Sequence, residues 1–325
     1  MRPGRPTDHG SGAAATATQP LPRGIIRPLR WQTLARSSLG RYICAPSRKR
    51  STMFKIGFST LGCPGYTVDE VAALARTEGF DGVEIRFIRG EVDLTTLDEF
   101  SPVAIAQTRK VFDDAGVEVN CIDTSVRFSS ADAAERKAQR ELAKINCEIA
   151  NALGARYLRV FGGSRPNGID PGSFTTAVAE GLGEVAEDSW AAGIETLVET
   201  HDDFCTAATI QPLLDQSSDR LGVLWDFLHS FRNGETAEQT YAALGPKIRQ
   251  VHAKDASRAT PDGFDLVLTG TGIVPLGDLV TVLRDADFGG YVDFEWEKAW
   301  HPEIEDPEIA IPHFKTALDK IINAA

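Results

Sequence analysis

The chain has 325 residues with 34 Lys or Arg against 46 Asp or Glu, unevenly spread: residues 1–52 hold ten of the basic residues and one acid, Asp8. The other 24 basic and 45 acidic residues leave residues 53–325 at a formal net of −21, a charge that disfavours binding to a nucleic-acid backbone. No apolar run approaches the ~20 residues of a spanning helix, so no membrane is expected, and five cysteines without a CxxC spacing fit the reduced thiols of a cytoplasmic protein.

Residues 1–52, rich in Pro, Gly, Ala and Arg and without apolar period, read as a basic, disordered extension. Two origins stay open: a transit peptide, since acid-poor leaders rich in Arg and Ser have this composition, or translation from an upstream start. In the second case Met53, the only methionine besides Met1, opens the protein. Residues 53–325 are then one catalytic domain.

From Met53 onward, short β-branched or aromatic runs alternate with longer stretches of helical period. The first strand, Phe54 to Ser59, leads to a helix with Val68, Val71, Ala72 and Ala75 on one face and a stop at Gly79. The second strand is Gly82 to Arg86, followed by a loop from Phe87 to Phe100 and a helix over 102–115. The third is Glu118 to Asp123, with a long helix over 131–153, and the fourth is Tyr157 to Phe161, closed by Gly162 and Gly163. The fifth ends at Glu199, the sixth runs from Leu221 to Asp226, the seventh from Ile248 to His252 and the eighth from Tyr291 to Glu295, with a last helix over 307–322. Ser257 to Pro275 reads as a loop. Eight unbroken strand-helix units predict an α/β fold, a single (β/α)8 TIM barrel. The rival, a doubly wound open sheet with a nucleotide site, needs a glycine-rich turn after its first strand, and Ser59-Thr-Leu-Gly-Cys-Pro-Gly65 has neither GxGxxG nor Walker spacing.

In such a barrel the carboxyl ends of the strands share one face. Glu199, Asp226, His252 and Glu295 each close a strand, spaced by 27, 26 and 43 residues. A period of two sets His201 on the side of Glu199, Lys254 with His252, and Glu297 with Glu295. Three carboxylates and an imidazole form a hard donor set suited to Mn²⁺, Mg²⁺ or Co²⁺ more than the sulfur-rich sites of structural zinc. Without an ion they would repel one another.

The motifs Leu197-Val-Glu-Thr-His201, Trp225-Asp-Phe-Leu-His229, Val251-His-Ala-Lys-Asp255 and Phe294-Glu-Trp-Glu-Lys298 resemble those of the xylose-isomerase-like barrels. These are sugar phosphate isomerases and epimerases, keto-sugar 3-epimerases, hydroxypyruvate isomerase and inosose dehydratase, and the resemblance covers most of residues 54–322. It implies one divalent ion, Mn²⁺ first with Mg²⁺, Co²⁺ or Zn²⁺ as alternatives, held by Glu199, Asp226, His252 and Glu295. At the eighth strand Glu297 competes with Glu295 for this place. The implied activity is sugar or sugar-phosphate isomerisation or epimerisation through a metal-bound enediolate, with Glu199 and Glu295 moving protons on opposite faces of the substrate. His229 and Arg258 are the implied contacts to substrate oxygens, joined by Lys254, His201 and Glu297 in the substrate-binding set.

The chain departs from the 3-epimerases at Cys205, where they carry a glutamate. An inosose-type dehydratase on the same site is the alternative, since elimination also starts by proton removal. A DNA-repair endonuclease of the superfamily would need histidines on early strands, and none lies between His9 and His201. A non-catalytic sugar-binding barrel would not need paired carboxylates around a metal. Phe58, Arg86, Trp296, Trp300 and His301 are candidates for the rim, and Arg159 in the fourth strand is given no role. The expected partner is a small sugar, sugar phosphate or inosose. A homo-oligomer is compatible with the sequence, which displays no interface.

Overall fold

The computed structural model describes residues 54–325, so the extension expected over residues 1–52 lies outside the described residues. The short runs are strands: β1 Lys55–Ser59, β2 Gly82–Ile85, β3 Glu118–Arg127, β4 Tyr157–Phe161, β5 Glu195–Glu199, β6 Gly222–Asp226, β7 Ile248–Ala253, β8 Asp255–Thr260, β9 Gly263–Val267 and β10 Tyr291–Phe294. Between them lie α1 Val68–Glu78, α2 Ile105–Ala115, α3 Ala133–Leu153, α4 Pro171–Ala191, α5 Ala207–Leu214, α6 Phe227–Arg232, α7 Ala237–Leu244, α8 Leu276–Asp285 and α9 Pro307–Ala324. Strands β1 to β7 and β10 pair in parallel and close a barrel in the order β1-β10-β7-β6-β5-β4-β3-β2. Among the described residues no helix is long and apolar enough to cross a membrane.

Local chemistry explains the element ends. Helix α1 begins at a reciprocal capping box, in which Thr67 accepts from the Glu70 amide while the Glu70 carboxylate accepts from the Thr67 amide, and it buries the predicted face of Val68, Val71, Ala72 and Ala75. It stops at Gly79, whose φ of 73° ends the helix in a left-handed turn. Between β6 and β7 the predicted single helix is two, because the chain breaks at Asn233 and Gly234, the latter at φ 92°.

The second difference is the segment after β7. Its first half is not a loop but an antiparallel hairpin, β8 with β9, turning at Pro261 and Asp262. The following Gly270-Thr-Gly272 stretch is folded around the buried Asp255 carboxylate, which accepts from the amides of Ala256 (2.9 Å), Gly270 (2.8 Å), Gly272 (2.9 Å) and Val274 (3.1 Å). Those amides are spent internally and do not form an anion cradle.

Inside the barrel, side chains change character along the strand direction. Toward the amino ends, Cys121, Tyr157, Leu197 and Leu224 form a buried apolar plug, each side chain removing surface at about 25 cal/mol per Å². Two residues further along the same strands stand Asp123, Arg159, Glu199 and Asp226, all buried. The barrel therefore carries a charged floor on an apolar base. Gly57 of β1 makes room for it: a Cβ there would lie 2.0 Å from Asp293 Oδ1 and 2.9 Å from the Gly82 carbonyl oxygen.

Candidate active site

Four successive barrel strands deliver Glu199 (end of β5), Asp226 (end of β6), His252 (within β7) and Glu295 (just past β10) to one place. One ligating atom from each lies within 4.8 Å of all the others, and all four residues are buried. His252 Nδ1 is 3.3 Å from Glu199 Oε1 and 3.3 Å from Glu295 Oε1. Asp226 also caps α6, since its Oδ1 accepts from the His229 amide at 3.1 Å, and only Oδ2 is left to face the cluster. Thr200 ties β5 to β6 here by accepting from the Asp226 amide at 2.8 Å.

A group of buried polar residues holds these four side chains. The other face of His252 is held by Glu84 of β2, whose Oε2 is 2.9 Å from Nε2. Gln250 donates to Glu84 Oε2 (2.6 Å) and to Asp293 Oδ2 (2.8 Å), and Asn120 donates to Asp293 Oδ1 (2.8 Å). Arg159 lies between Asp123 Oδ2 (2.8 Å from Nη2) and Glu199 Oε2 (3.2 Å from Nε). Sequence reasoning gave Arg159 no role and did not single out Glu84, Asp123 or Asp293. The available signal was a charge between apolar neighbours, as in Val83-Glu84-Ile85, Leu158-Arg159-Val160 and Val292-Asp293-Phe294. Barrel register decides its meaning: Arg159 pairs with Leu197, and so shares the inward parity of Glu199.

Opposing charges set the protonation states. Burial alone would drive the His252 pKa down, but Glu84 and Glu295 outweigh it and hold the pKa well above the usual value. Burial opposes ionisation of Glu295, yet Lys254 and His252 prevail and keep its carboxyl well below the usual carboxylate range. The Lys254 ammonium, fully buried, lies 2.7 Å from Asp226 Oδ2, 2.7 Å from Glu297 Oε1 and in contact with Glu295 Oε2. It sets one positive charge among three acids.

Glu199 Oε1 and Oε2, Asp226 Oδ2 and His252 Nδ1 are buried and make charge contacts but no hydrogen bond among the described residues. Buried polar atoms in folded proteins nearly always have hydrogen-bond partners. Such atoms converging from neighbouring strands, carboxylate oxygens beside an imidazole nitrogen, fit a hard divalent cation.

The structure brings the remaining predicted residues to different places. Glu297 is one shell out, on Lys254, with Oε2 3.8 Å from His301 Nε2. His201 stacks edge-on against Phe161 (5.0 Å) and His229 (4.5 Å). Burial acts to lower its pKa, but Asp202 and Glu199 raise it above the usual value. His229 is buried, its Nε2 3.6 Å from Asp226 Oδ2, and burial followed by the nearby His201 and Lys254 drives its pKa well down. Arg258 is not brought into the cluster. It lies on the exposed face of the hairpin in a bidentate pair with Asp265, at 2.7 and 2.8 Å. Arg86 is buried at the rim, with Nη2 donating to Ser125 Oγ at 2.9 Å and Nη1 without a hydrogen-bond partner among the described residues. Trp296 is wholly buried and donates to the Glu305 carbonyl, while Trp300 is 55% exposed beside Phe87.

The family model described as xylose isomerase-like TIM barrel matches residues 72–317. A putative hydroxypyruvate isomerase of Streptomyces coelicolor is 26% identical over 174 residues, which is 50% of this chain and 60% of that protein. The chain thus matches less than two thirds of that relative's length. Solved structures share the fold. An L-ribulose 3-epimerase superposes with a TM-score of 0.70 at 18% identity, over 83% of this chain and 95% of that one. The IOLI protein, with a zinc atom, gives 0.70 at 17%, over 83% and 99%. The probable 3-DHS dehydratase AsbF of Bacillus anthracis gives 0.68 at 18%, over 84% and 100%.

Proposed function

Because the chain belongs to the xylose isomerase-like TIM barrel family, we propose that it is a metal-dependent isomerase or epimerase of a small sugar, sugar phosphate or inosose. One observation carries the reading: the carboxylates of Glu199 and Glu295 both face His252 Nδ1 at 3.3 Å, from strands on either side of β7 in the barrel order. A bound sugar lying over the cluster meets a carboxylate on each side.

Glu199, Asp226, His252 and Glu295 would hold one divalent ion, Mn²⁺ first, with Mg²⁺, Co²⁺ or Zn²⁺ as alternatives. When bound, such an ion draws electron density from substrate oxygens and acidifies the neighbouring C–H. The protein's groups do the rest. Glu199 removes the proton next to the carbonyl, its carboxylate aimed by Arg159 at 3.2 Å. Glu295, held ionised by Lys254 and His252, serves the opposite face: the Lys254 ammonium in contact with its Oε2 passes it a proton, Glu295 delivers that proton to the enediolate, and the proton taken by Glu199 returns to Lys254 through solvent. The buried His229 Nε2 donates to a substrate oxygen whose negative charge grows as the C–H bond breaks. A dehydratase would begin with the same proton removal and then expel a β-hydroxyl.

To test this, the protein is loaded with Mn²⁺, dialysed and incubated in deuterated water with a panel of ketoses, sugar phosphates and inososes. Retention of about one ion per chain and solvent deuterium entering at carbon without loss of water support the isomerase. A rise in enone absorbance selects the dehydratase. An ion-free protein that exchanges no carbon-bound proton on any member overturns both.

A further inference from the structure

The hairpin β8–β9 leaves the carboxyl end of β7, the strand of His252, and packs against α6, and one side chain joins it to the cluster. Arg232, the last residue of α6, donates from Nε to His229 Nδ1 at 3.0 Å. Its Nη1 donates to the Thr260 carbonyl at 3.1 Å and to the Pro261 carbonyl at 2.9 Å, the two carbonyls at the hairpin turn. The hairpin in turn sets Phe264 against the site: its ring centroid is 5.6 Å from that of His229 and 6.3 Å from that of His301, with Lys254 Nζ 5.9 Å from the Phe264 ring and the Arg232 guanidinium 5.6 Å away.

A guanidinium cannot accept a hydrogen bond, so a His229 Nδ1 that receives one must present a lone pair. The neutral ring then carries its proton on Nε2. That nitrogen is buried, has no hydrogen-bond partner among the described residues, and lies 3.6 Å from Asp226 Oδ2, facing the cluster. Its proton is left for a ligand.

We propose that Arg232 is a positioning residue that fixes His229 as a donor at Nε2 and latches the hairpin carrying Phe264 over the bound substrate. This rests on the reading of the cluster as the reaction site. The same guanidinium reads the hairpin and the imidazole, so the donor is set only while the hairpin is down. Phe264 then offers an aromatic face to the C–H surface of the substrate, and His229 offers one proton at a fixed point. The latch therefore favours ligands with a hydroxyl or carbonyl oxygen beneath an apolar edge.

Two measurements on metal-free protein test this without substrate. In the wild type, the two ring nitrogens of His229 should give the well-separated nitrogen-15 signals of a single neutral tautomer. In Arg232→Met these signals should move toward one another as Nδ1 becomes free to take a proton. Hydrogen–deuterium exchange of hairpin amides 255–267 should become about tenfold faster in the variant, the scale expected for losing one to two hydrogen bonds to the turn. Unchanged exchange in β5 and β6 certifies that the barrel is folded. Ring signals and hairpin exchange that both stay at wild-type values in a folded Arg232→Met protein overturn the latch. Failure of the proposed reaction leaves these readouts unaffected, so the two ideas fall separately.

Discussion

The imidazole of His252 is clasped from below: its Nε2 lies 2.9 Å from Glu84 Oε2, while its Nδ1 faces Glu199 and Glu295 at 3.3 Å. If His252 ligates the proposed ion, a carboxylate behind the ring fixes its tautomer and raises its basicity. Replacing Glu84 by Gln should weaken Mn²⁺ binding by about 10- to 100-fold, measured by isothermal titration. Binding should also tighten as pH rises, because the surrounding carboxylates hold a proton on His252 that a metal must displace. An affinity equal to wild type in Glu84→Gln would deny Glu84 this role.

Lys254 offers a sharper separation of metal-free and metal-bound behaviour. Its ammonium contacts Asp226, Glu295 and Glu297 with no exposed surface. Lys254→Met leaves buried acids without that counter-charge, a loss of about 3–5 kcal/mol for breaking a buried ion pair. Denaturation of the metal-free variant should show that loss, and excess Mn²⁺ should stabilise the variant more than the wild type. Equal stabilisation of both proteins by Mn²⁺ would place the ion elsewhere.

The surroundings of Cys205 make it a poor nucleophile at neutral pH. Burial, with Asp226, Asp202 and Asp203 adding to it, pushes its thiol up to about 11. A raised thiol pKa means a thiolate fraction on the order of 0.1% at pH 8. Iodoacetamide labelling of native protein at Cys205, followed by mass spectrometry, should be slow at pH 8 and still climbing at pH 10. Cys205→Ser should keep the deuterium-exchange activity within about twofold, since the thiol takes no part in proton transfer. A plateau in labelling below pH 9 contradicts this assignment.

Much of this was legible in the sequence. Glu199, Asp226, His252 and Glu295 each sit at the close of an apolar run, so a period of two and the barrel rule locate them together. Glu84 and Arg159 are harder because a charge inside a four- or five-residue strand reads equally as solvent-facing. Only the parallel register, which sets Arg159 opposite Leu197, turns it inward. Arg258 differs in the other direction. The family resemblance implies a substrate contact for it, but the segment folds as a hairpin and Asp265 across the ribbon takes the guanidinium. Nothing short-range in Asp255-Ala-Ser-Arg-Ala-Thr260 announces a strand, since it has one β-branched residue, Thr260.

Gly57 tests the charged floor itself. A methyl group there would meet Asp293 Oδ1 at 2.0 Å and the Gly82 carbonyl at 2.9 Å. Neither has space to retreat, because Asn120 and Gln250 pin the Asp293 carboxylate. Gly57→Ala should therefore cost about 1–3 kcal/mol by overpacking, read from urea midpoints at constant m-value. A neutral substitution would mean that Asp293 moves freely.

The anchoring of the hairpin separates a ribbon from the barrel frame. Asp255, at the foot of β8, accepts from four backbone amides, three of them in the 270–274 stretch that follows the ribbon, and Arg232 holds the turn by two main-chain carbonyls. Both grips end on main-chain atoms. Residues Ser257 to Ala259 and Asp262, Gly263 and Asp265 lie outside both grips, and none of them belongs to a barrel strand. If the cluster is the reaction site proposed above, the ribbon is a cover attached to the frame rather than part of it, and the side chains it shows the ligand are separate from those that hold the cluster.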